Sequence, residues 1–360
     1  MTRAIATTPE IERLLEAGAP VALGVSGGKD SCAAGFALED FLDARGHAGP
    51  RILIHSNLGR VEWKDSLPTS QRLADRIGWE LIVVSREAGD MMDRWLVRWE
   101  NNVARYAGME CVKLILPWST PAMRFCTSEL KTAVICRDLV RRFPGQTILS
   151  ASGIRRQESQ RRSTSPVASI QLKLANVKRD TDGFNWNPIP DWSLEDVFGI
   201  LAEKDFPVHE AYRVYGSSRV SCAYCIMGSE GDLAASATCP DNQDIYREMV
   251  ELELDSTFGF QSGRWLCDVA PNLLDEASRA RVPIVKANAK IREAAEARIP
   301  KHLLYTAGWP TCVPSRTEAI LLCGVRREVS EAVGIPVGFT EPIQLIDKYH
   351  ELMAKKLLAA

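Results

Sequence analysis

The residues with the clearest chemical potential form one short run near the start of the chain: Ser26, Gly27, Gly28, Lys29, Asp30 and Ser31. Adjacent glycines allow a tight turn in which several backbone N–H groups point into one concavity. The lysine adds a cation, and the two serine hydroxyls add short donors. The run therefore predicts a polyphosphate site, with a spacing that differs from the ordinary P-loop. A turn that merely joins two elements is the alternative, but such a turn needs no lysine or serines.

The elements on either side of this run are suited to positioning it. The apolar residues Val21–Val25 precede it and are typical of a buried strand, and residues 32–38 continue as an apolar helix. The N-terminus of a helix carries a partial positive charge, which stabilises a bound phosphate. The order of strand, glycine turn and helix thus supports the same prediction.

Further apolar runs predict strands over 51–57, 80–85 and 146–151, and helical patterns cover 63–77 and 130–143 between them. This alternation is typical of a parallel, doubly wound α/β sheet, in which ligands bind beyond the carboxyl ends of the strands. Residues at those ends are therefore candidates for nucleotide binding: His55, Asn57 and Gly153. A histidine that merely ends a strand is the alternative for the first of them.

Basic residues follow the last of these predicted strands in the segment GIRRQESQRR. Planar guanidinium groups bind phosphate or sulfate oxygens in pairs. We therefore expect Arg155 to bind the nucleotide and to act in catalysis together with Lys29 and Asp30. Three further arginines are expected to bind the substrate: Arg156, Arg161 and Arg162. The wider segment 155–179 is rich in Arg and Lys and predicts a local basic flap, with a solvated loop as the alternative.

The chain has ten cysteines, and its formal net charge of −2 gives no sign of a globally basic surface. Because cytosolic thiols stay reduced, clustered cysteines more often bind a metal than form disulfides. Cys222 and Cys225 form a C-x-x-C pair, whose thiolates can share one metal from a single turn. Zinc and iron–sulfur clusters both use this ligand, so the pair alone leaves both open.

The run SGGKDS resembles the PP-loop of the ATP pyrophosphatase superfamily, whose members cleave ATP between the α- and β-phosphates. Together with it, the segments GIRRQES, PIPDWSLEDV, 206–216 and SCAYC resemble, in the same order, the phosphoadenosine phosphosulfate (PAPS) reductase family within the PP-loop proteins. The resemblance covers roughly residues 18–240. It implies a five-stranded, mainly parallel sheet of the adenine nucleotide α-hydrolase type, with ATP and Mg²⁺ as ligands.

The same resemblance implies a [4Fe–4S] cluster, because some branches of the family hold one on cysteines. Cys126 stands where cluster-bearing relatives place a cysteine, and Cys222 and Cys225 supply two further ligands. The fourth ligand is expected to be Cys239, and Cys312, Cys323 or no fourth thiol are the alternatives. A structural zinc is the first competitor of the cluster.

Two departures from the reductases of this family decide the expected reaction. The chain ends without a thiol where those enzymes carry a catalytic cysteine, and it keeps a complete SGGKDS loop. We therefore expect an ATP pyrophosphatase that forms AMP and pyrophosphate and adenylates an acceptor for sulfur incorporation. DNA phosphorothioation is the expected setting, and tRNA thiolation is the neighbouring one. The alternatives are a PAPS or APS reductase that makes sulfite, and a nucleotide-sensing module without turnover.

The expected partners are a cysteine desulfurase, nucleic acid bound through the basic flap, and other proteins of a modification complex. Two domains are expected, a PP-loop domain over 1–240 and a helical C-terminal region over 241–360. No uncharged apolar run approaches the ~18 residues of a membrane span. The N-terminus lacks the apolar core of a signal peptide, so a cytoplasmic protein without membrane contact is expected.

Overall fold

A six-stranded sheet carries the predicted phosphate loop in the computed structural model, which describes residues 3–359. The strands are β1 Val21–Val25, β2 Arg51–Asn57, β3 Glu80–Ser85, β4 Thr147–Ser152, β5 Ala168–Ile170 and β6 Asp182–Trp186. Their order is β3-β2-β1-β4-β6-β5, and neighbouring strands are parallel except for β5 with β6. The mainly parallel α/β sheet is confirmed, but the expectation of five strands was wrong.

Strand β5 lies inside the segment expected to form a basic flap, and β6 follows it directly. Neither has the signature of a buried strand, because β5 has three residues at the sheet edge and β6 reads DGFNW, with a glycine and two polar residues. Their pairing, in register from Ala168 opposite Trp186, comes from the tertiary structure rather than from an apolar run.

Thirteen α-helical segments occur within residues 3–359. They are α1 Pro9–Glu16, α2 Lys29–Ala44, α3 Ser66–Ile77, α4 Met91–Ala107, α5 Phe125–Thr127, α6 Ala133–Arg142, α7 Leu194–Glu203, α8 Glu210–Arg213, α9 Glu230–Thr238, α10 Gln243–Ser256, α11 Glu276–Ala297, α12 Arg316–Val333 and α13 Pro342–Ala359. A π-helical turn, Ser128–Thr132, joins α5 to α6. Helix α7 begins after Ser193, whose hydroxyl accepts a hydrogen bond from the Asp196 amide.

The side chains of β1 alternate between two hydrophobic cores on opposite faces of the sheet. Val21, Leu23 and Val25 pack with α1, α2, α3 and α7 on one face. Ala22 packs with α6 on the other face. Helices therefore cover both faces of the sheet, and the fold is doubly wound as expected.

The order of the strands reverses between β1 and β4. From β1 the chain first adds β2 and β3 on one side and then returns to place β4 on the other side, where Gly24 pairs with Ser152. Loops that follow two such strands leave a crevice between them, which is where ligands bind in open α/β sheets. The SGGKDS loop follows β1 and Gly153 follows β4, so both predicted segments lie at this position.

The chain divides into two compact units. One comprises the chain up to Met91 together with Pro121–Gln243, and the other comprises Met92–Thr120 and the chain from Asp244 onward. The second unit is helical, as expected for the C-terminal part, and contains an aromatic cluster in which Trp118 stacks edge-on against Trp95 and Phe260 at 5.3 and 5.2 Å. Functional domains over 1–240 and 241–360 stay a prediction. Within residues 3–359, none of the helices combines the length and apolar character that a membrane span requires.

Candidate functional site

The loop after β1 forms a concave turn at the start of α2. Gly27 has a φ of +72°, and a Cβ at this position would lie 2.7 Å from the Ser66 carbonyl oxygen, so glycine is required. Across residues 3–359, the following loop amides find no protein acceptor: Gly27, Gly28, Asp30 and Ser31. The Ser31 hydroxyl is committed to the loop itself and donates to the Gly28 carbonyl at 2.8 Å. Four backbone donors in one turn are therefore available to an anion, and the polyphosphate site itself stays a prediction.

A second glycine lies against this loop at the end of β4. A Cβ on Gly153 would lie 2.5 Å from the carbonyl oxygen of Asp30 and 2.9 Å from the amide nitrogen of Ser31. The two backbones are thus in direct contact. Residue 153 must be glycine for α2 to begin where it does.

Arg155 and Asp30 form a buried ion pair beside the loop. The Arg155 Nε donates to Asp30 Oδ1 at 2.6 Å, and its Nη1 donates to the Trp192 carbonyl oxygen at 3.2 Å. Arg155 is only 4% exposed. The other carboxylate oxygen of Asp30 lies 3.2 Å from the Lys29 ammonium. Asp30 therefore stands between two cations, and all three residues expected to be catalytic are brought together.

Lys29 and Tyr212 connect the loop to the segment that leads to the C-x-x-C pair. The Tyr212 hydroxyl oxygen accepts from the amide of Lys29 at 3.3 Å and from the amide of Val220 at 3.1 Å. The Lys29 ammonium donates to the Ser218 carbonyl oxygen at 3.3 Å. The phosphate loop and residues 218–220 are thus held together by three hydrogen bonds.

An open cavity of about 210 Å³ lies at the carboxyl edge of β1 and β4. Its lining residues are Gly24, Ser26, Gly28, Asp30, Ser31, Lys131, Gly153, Ile154, Glu158, Arg162, Tyr212, Arg219, Val220 and Ser221. Pockets that enclose a whole small molecule usually measure about 300–1,000 Å³. A nucleotide would therefore place part of itself here, and the cations in the wall suit its phosphates.

The lining residues that the sequence did not reveal include two cations and a phenol: Lys131, Arg219 and Tyr212. Lys131 lies on the π-helical turn, five residues after Cys126, inside a stretch that reads as an ordinary amphipathic helix. Arg219 precedes the C-x-x-C pair by three residues, and this closeness to a motif was the one available signal. No local sequence pattern marks Tyr212 as a cavity residue.

Several predicted residues have other partners. His55 is buried at the end of β2, where its ring nitrogens lie 3.1 Å from the Val25 carbonyl oxygen and 3.2 Å from Glu62. The Asn57 side chain accepts from the Gly59 amide at 2.8 Å. Neither residue is among those that line the cavity. Their predicted role in nucleotide binding stays a prediction.

The three arginines predicted to bind substrate separate in space. Arg162 lines the cavity and pairs with Glu158. Arg156 pairs with Asp191 at 2.5 Å, and Arg161 donates to the Pro121 carbonyl oxygen at 3.0 Å. The last two are not among the lining residues, so Arg162 has the position best suited to a bound anion.

Cys222 lies near enough to two other predicted metal-binding thiols, Cys126 and Cys225, to interact with them electrostatically. Burial raises the pKa of the Cys222 thiol to about 12, the nearby thiols of Cys225 and Cys126 raise it further, and the Lys131 ammonium opposes them. Within the described part of the chain, however, no three His, Cys, Asp or Glu side chains are arranged to hold a metal ion. The donor chemistry fits a cluster or zinc, and final ligand geometry is coupled to metal binding.

The fourth predicted ligand has a different neighbour. Cys239 is buried at the end of α9, and its hydrogen bond raises the pKa of the Tyr215 hydroxyl to about 12. The alternatives Cys312 and Cys323 belong to the second compact unit. The identity of the fourth ligand stays a prediction.

His209 packs beside Gly27 of the loop. Its titration predicts that the folded protein loses stability in acid. Its Nδ1 accepts from the Ala211 amide at 3.0 Å, so the proton is on Nε2, which lies 3.3 Å from the Ser66 hydroxyl. Burial lowers the pKa of His209 from 6.5 to about 4, although Asp65 opposes the shift. Between these values the unfolded chain binds a proton that the folded chain does not, so stability falls as the pH decreases from about 6.5 to about 4.

The loss attributable to His209 is expected to reach up to about 3 kcal/mol, at about 1.4 kcal/mol per pKa unit. Urea unfolding at a series of pH values measures it, with a His209→Gln variant that removes the titrating group. His350→Gln, which alters an exposed histidine, is the matched control. An unchanged acid dependence in His209→Gln would contradict the assignment.

Comparison with known protein families gives a match over part of the chain. Residues 118–227, less than a third of the chain, match the family model described as the phosphoadenosine phosphosulfate reductase domain. The matched stretch contains Cys126, Arg155 and the C-x-x-C pair, and it does not include the SGGKDS loop. A search among curated proteins finds no match.

Two solved structures resemble the chain weakly. One is a phosphoadenylyl-sulfate (PAPS) reductase from Candida auris in a phosphate complex, with 12% identity, 61% of this chain and 97% of that chain covered, and a TM-score of 0.37. The other is the U34-tRNA thiolase NcsA from Methanococcus maripaludis with its [4Fe-4S] cluster, with 14% identity, 79% and 75% coverage, and a TM-score of 0.38. Likenesses this weak say nothing about chemistry. Over residues 118–227, the chain is similar to the phosphoadenosine phosphosulfate reductase domain.

Proposed function

We propose that this protein is an ATP pyrophosphatase that adenylates an acceptor so that sulfur can be incorporated. The observation that carries the proposal is the set of unpartnered amides at the start of α2, which open toward the cavity at the strand-order reversal. Such a site binds an anion, and the surrounding cations suit a polyphosphate. The match of residues 118–227 supports a sulfur-related, nucleotide-using enzyme.

In the proposed reaction, an acceptor oxygen attacks the α-phosphorus of ATP, the bond to the bridging oxygen breaks, and pyrophosphate leaves. The loop amides hold the departing pyrophosphate, and the Lys131 and Arg162 side chains in the cavity wall offset its charge. Asp30 keeps Lys29 and Arg155 in place beside the loop. A hydrosulfide then attacks the adenylated atom, and AMP leaves with the original acceptor oxygen.

The proposed reaction also requires two inorganic groups that the chain would bind, an iron–sulfur cluster and Mg²⁺. Cys126, Cys222 and Cys225 would hold an iron–sulfur cluster, which supplies iron that can bind sulfide when it is present. Mg²⁺ bound with ATP offsets phosphate charge. A cysteine desulfurase would supply persulfide sulfur, and a thiol reductant would release it as hydrosulfide.

The proposed setting is DNA phosphorothioation, in which the acceptor is a backbone phosphate oxygen. Segment 155–179, with basic residues such as Lys178 and Arg179 on its exposed turn Val177–Arg179, would contact the nucleic acid. Phosphate contacts of this kind position a protein on DNA without reading its sequence. Other proteins of a modification complex would complete the assembly.

The test is a product assay on anaerobically purified protein with ATP, Mg²⁺, a sulfur donor and DNA. Formation of AMP and pyrophosphate in equal amounts is expected. Gly27→Val, purified in the same way, controls for contaminating hydrolases, because its side chain would collide with the Ser66 carbonyl. Absence of AMP under every partner combination would refute the proposal.

A PAPS reductase is the second candidate, because the matched family model carries that description. It predicts sulfite from PAPS with a thiol reductant and no need for ATP. Sulfite formation in the same preparation, without AMP formation from ATP, would favour this candidate.

Metal content supplies a separate prediction. Cys222→Ser is expected to lose most of the bound iron and acid-labile sulfide, because it removes the thiol that lies beside both Cys126 and Cys225. Iron, sulfide and zinc are measured per chain after anaerobic purification. Cys239→Ser and Cys312→Ser test the fourth ligand in parallel. Wild-type iron content in Cys222→Ser would contradict the ligand set, and zinc in place of iron would favour the structural alternative.

A further inference from the structure

Arg219 lies between the nucleotide cavity and the thiols. It lines the cavity of about 210 Å³ beside the loop, and it also lines a small void of about 10 Å³ together with Cys222 and Cys225. Among the described residues, no other side chain with a full positive charge lines both spaces. Arg219 is therefore placed to contact both a nucleotide in the cavity and an acceptor held near the cysteines.

The guanidinium of Arg219 is poorly satisfied by the protein. Its Nη1 donates to the Met227 carbonyl oxygen at 3.3 Å, whereas its Nε is buried and has no acceptor. Across residues 3–359 it makes no ion pair with a carboxylate. The side chain is half-buried, and its terminal N–H groups other than the one on Met227 remain open to an acceptor that the described chain does not supply.

Arg72 provides a comparison within the same unit. Its Nε is also buried without an acceptor, but its Nη2 lies 3.1 Å from Asp65 and its charge is therefore compensated. Arg219 forms no such ion pair with residues 3–359, and Asp232, the carboxylate that lines the same small void, accepts hydrogen bonds from Ser218 and Ser229. An oxyanion would satisfy the open terminal N–H groups and the charge of Arg219, and a guanidinium binds one through two parallel hydrogen bonds.

We propose that Arg219 binds an oxyanion of the sulfur acceptor, next to the thiols and separate from the loop that holds the ATP phosphates. The inference rests on the proposed function and adds the residue that would hold its phosphate acceptor. An acceptor held by an uncompensated guanidinium is a phosphodiester or a similar oxyanion, rather than the neutral carbonyl of a nucleobase. The site thus favours a backbone phosphate over a base as the group that receives sulfur.

The test measures binding of dimethyl phosphate, a mimic of a phosphodiester, by phosphorus NMR titration of the protein as purified. Saturating α,β-methylene-ATP occupies the phosphate loop, and its own binding is measured first by calorimetry. Arg219→Gln is expected to weaken dimethyl phosphate binding at least about tenfold, because a charged hydrogen-bond partner is lost. Arg219→Lys, which keeps the charge but not the fork, is expected to weaken it less.

Arg13→Gln is the matched control, since Arg13 pairs with Glu10 on the exposed side of α1 and does not line the cavity. Thermal unfolding verifies that each variant is folded. Unchanged binding in Arg219→Gln would overturn the proposal and indicate that water alone satisfies the guanidinium. Binding of uridine in place of dimethyl phosphate would overturn it in favour of a neutral acceptor.

The two proposals fail separately. If α,β-methylene-ATP does not bind but dimethyl phosphate binding depends on Arg219, the proposed ATP chemistry fails and the oxyanion site stands. If the nucleotide analogue binds and Arg219→Gln has no effect on dimethyl phosphate, the ATP site stands and the acceptor site fails.

Discussion

Gly153→Ala is expected to reduce AMP formation from ATP about a hundredfold, because a displacement of roughly 1 Å in a reacting site costs a factor of this size. The added Cβ would lie 2.5 Å from the Asp30 carbonyl oxygen, a backbone atom that cannot rotate away. The first turn of α2 would have to move, and the loop amides would move with it. The turnover number at saturating ATP measures the effect.

Gly231→Ala is the matched control in the same compact unit, because Gly231 does not line the cavity. A Cβ there meets its nearest atom, the Ser229 hydroxyl oxygen, at 3.9 Å, which is an ordinary contact. Turnover in this variant is expected to stay within about twofold of the wild type. Wild-type turnover in Gly153→Ala would show that the start of α2 does not position the reacting phosphates.

Arg155→Met is expected to have the largest effect on stability, a loss of about 3 kcal/mol in the free energy of unfolding. The substitution keeps most of the side-chain volume but leaves the Asp30 carboxylate, which is only 16% exposed, without its closest cation. Lys29 remains 3.2 Å from the other carboxylate oxygen and limits the loss. Urea unfolding, followed by amide hydrogen exchange in β1 and β4, measures the loss in this unit.

Arg156→Met serves as the control because it removes a neighbouring arginine whose pair with Asp191 is exposed. Exposed pairs contribute about 0–1 kcal/mol. The double variant Arg155→Met, Asp30→Asn is expected to lose about 1–3 kcal/mol less free energy of unfolding than the sum of the losses in the two single variants. The reason is that each single change removes the same interaction. Additive losses would show that Arg155 stabilises the fold through Trp192 rather than through Asp30.

Much of the fold follows from local patterns. Val21–Val25 and Arg51–Asn57 begin and end where the apolar runs predict, because strands buried between two helical layers have few polar positions. Glu80–Ser85 also has its predicted bounds, although only Ile82 of this edge strand is buried. Helix α7 starts after Ser193, a residue type that favours a helix start because its hydroxyl satisfies a backbone donor locally. Strand β5 was missed because two of its three residues are exposed, so no apolar pattern marks it.

The candidate site was only partly predictable, for a different reason. The phosphate loop needs particular residue types in succession, and these are visible in the chain. The roles of cavity-lining cations depend on distant segments: Lys131 and Arg219 meet only through the tertiary fold. Arg155 was expected to face a ligand, and its engagement with Asp30, 125 residues earlier, has no local signature.

The Tyr212 hydroxyl has one further property that follows from its two amide partners. A phenol oxygen has two lone pairs, and those of Tyr212 are both used by Lys29 and Val220. Burial raises the pKa of this phenol, so it keeps its proton at neutral pH. With its acceptor capacity exhausted, the group can offer an incoming molecule a hydrogen and nothing else. Any ligand that hydrogen-bonds to this hydroxyl must therefore present a lone pair, as the oxygens of an anion do.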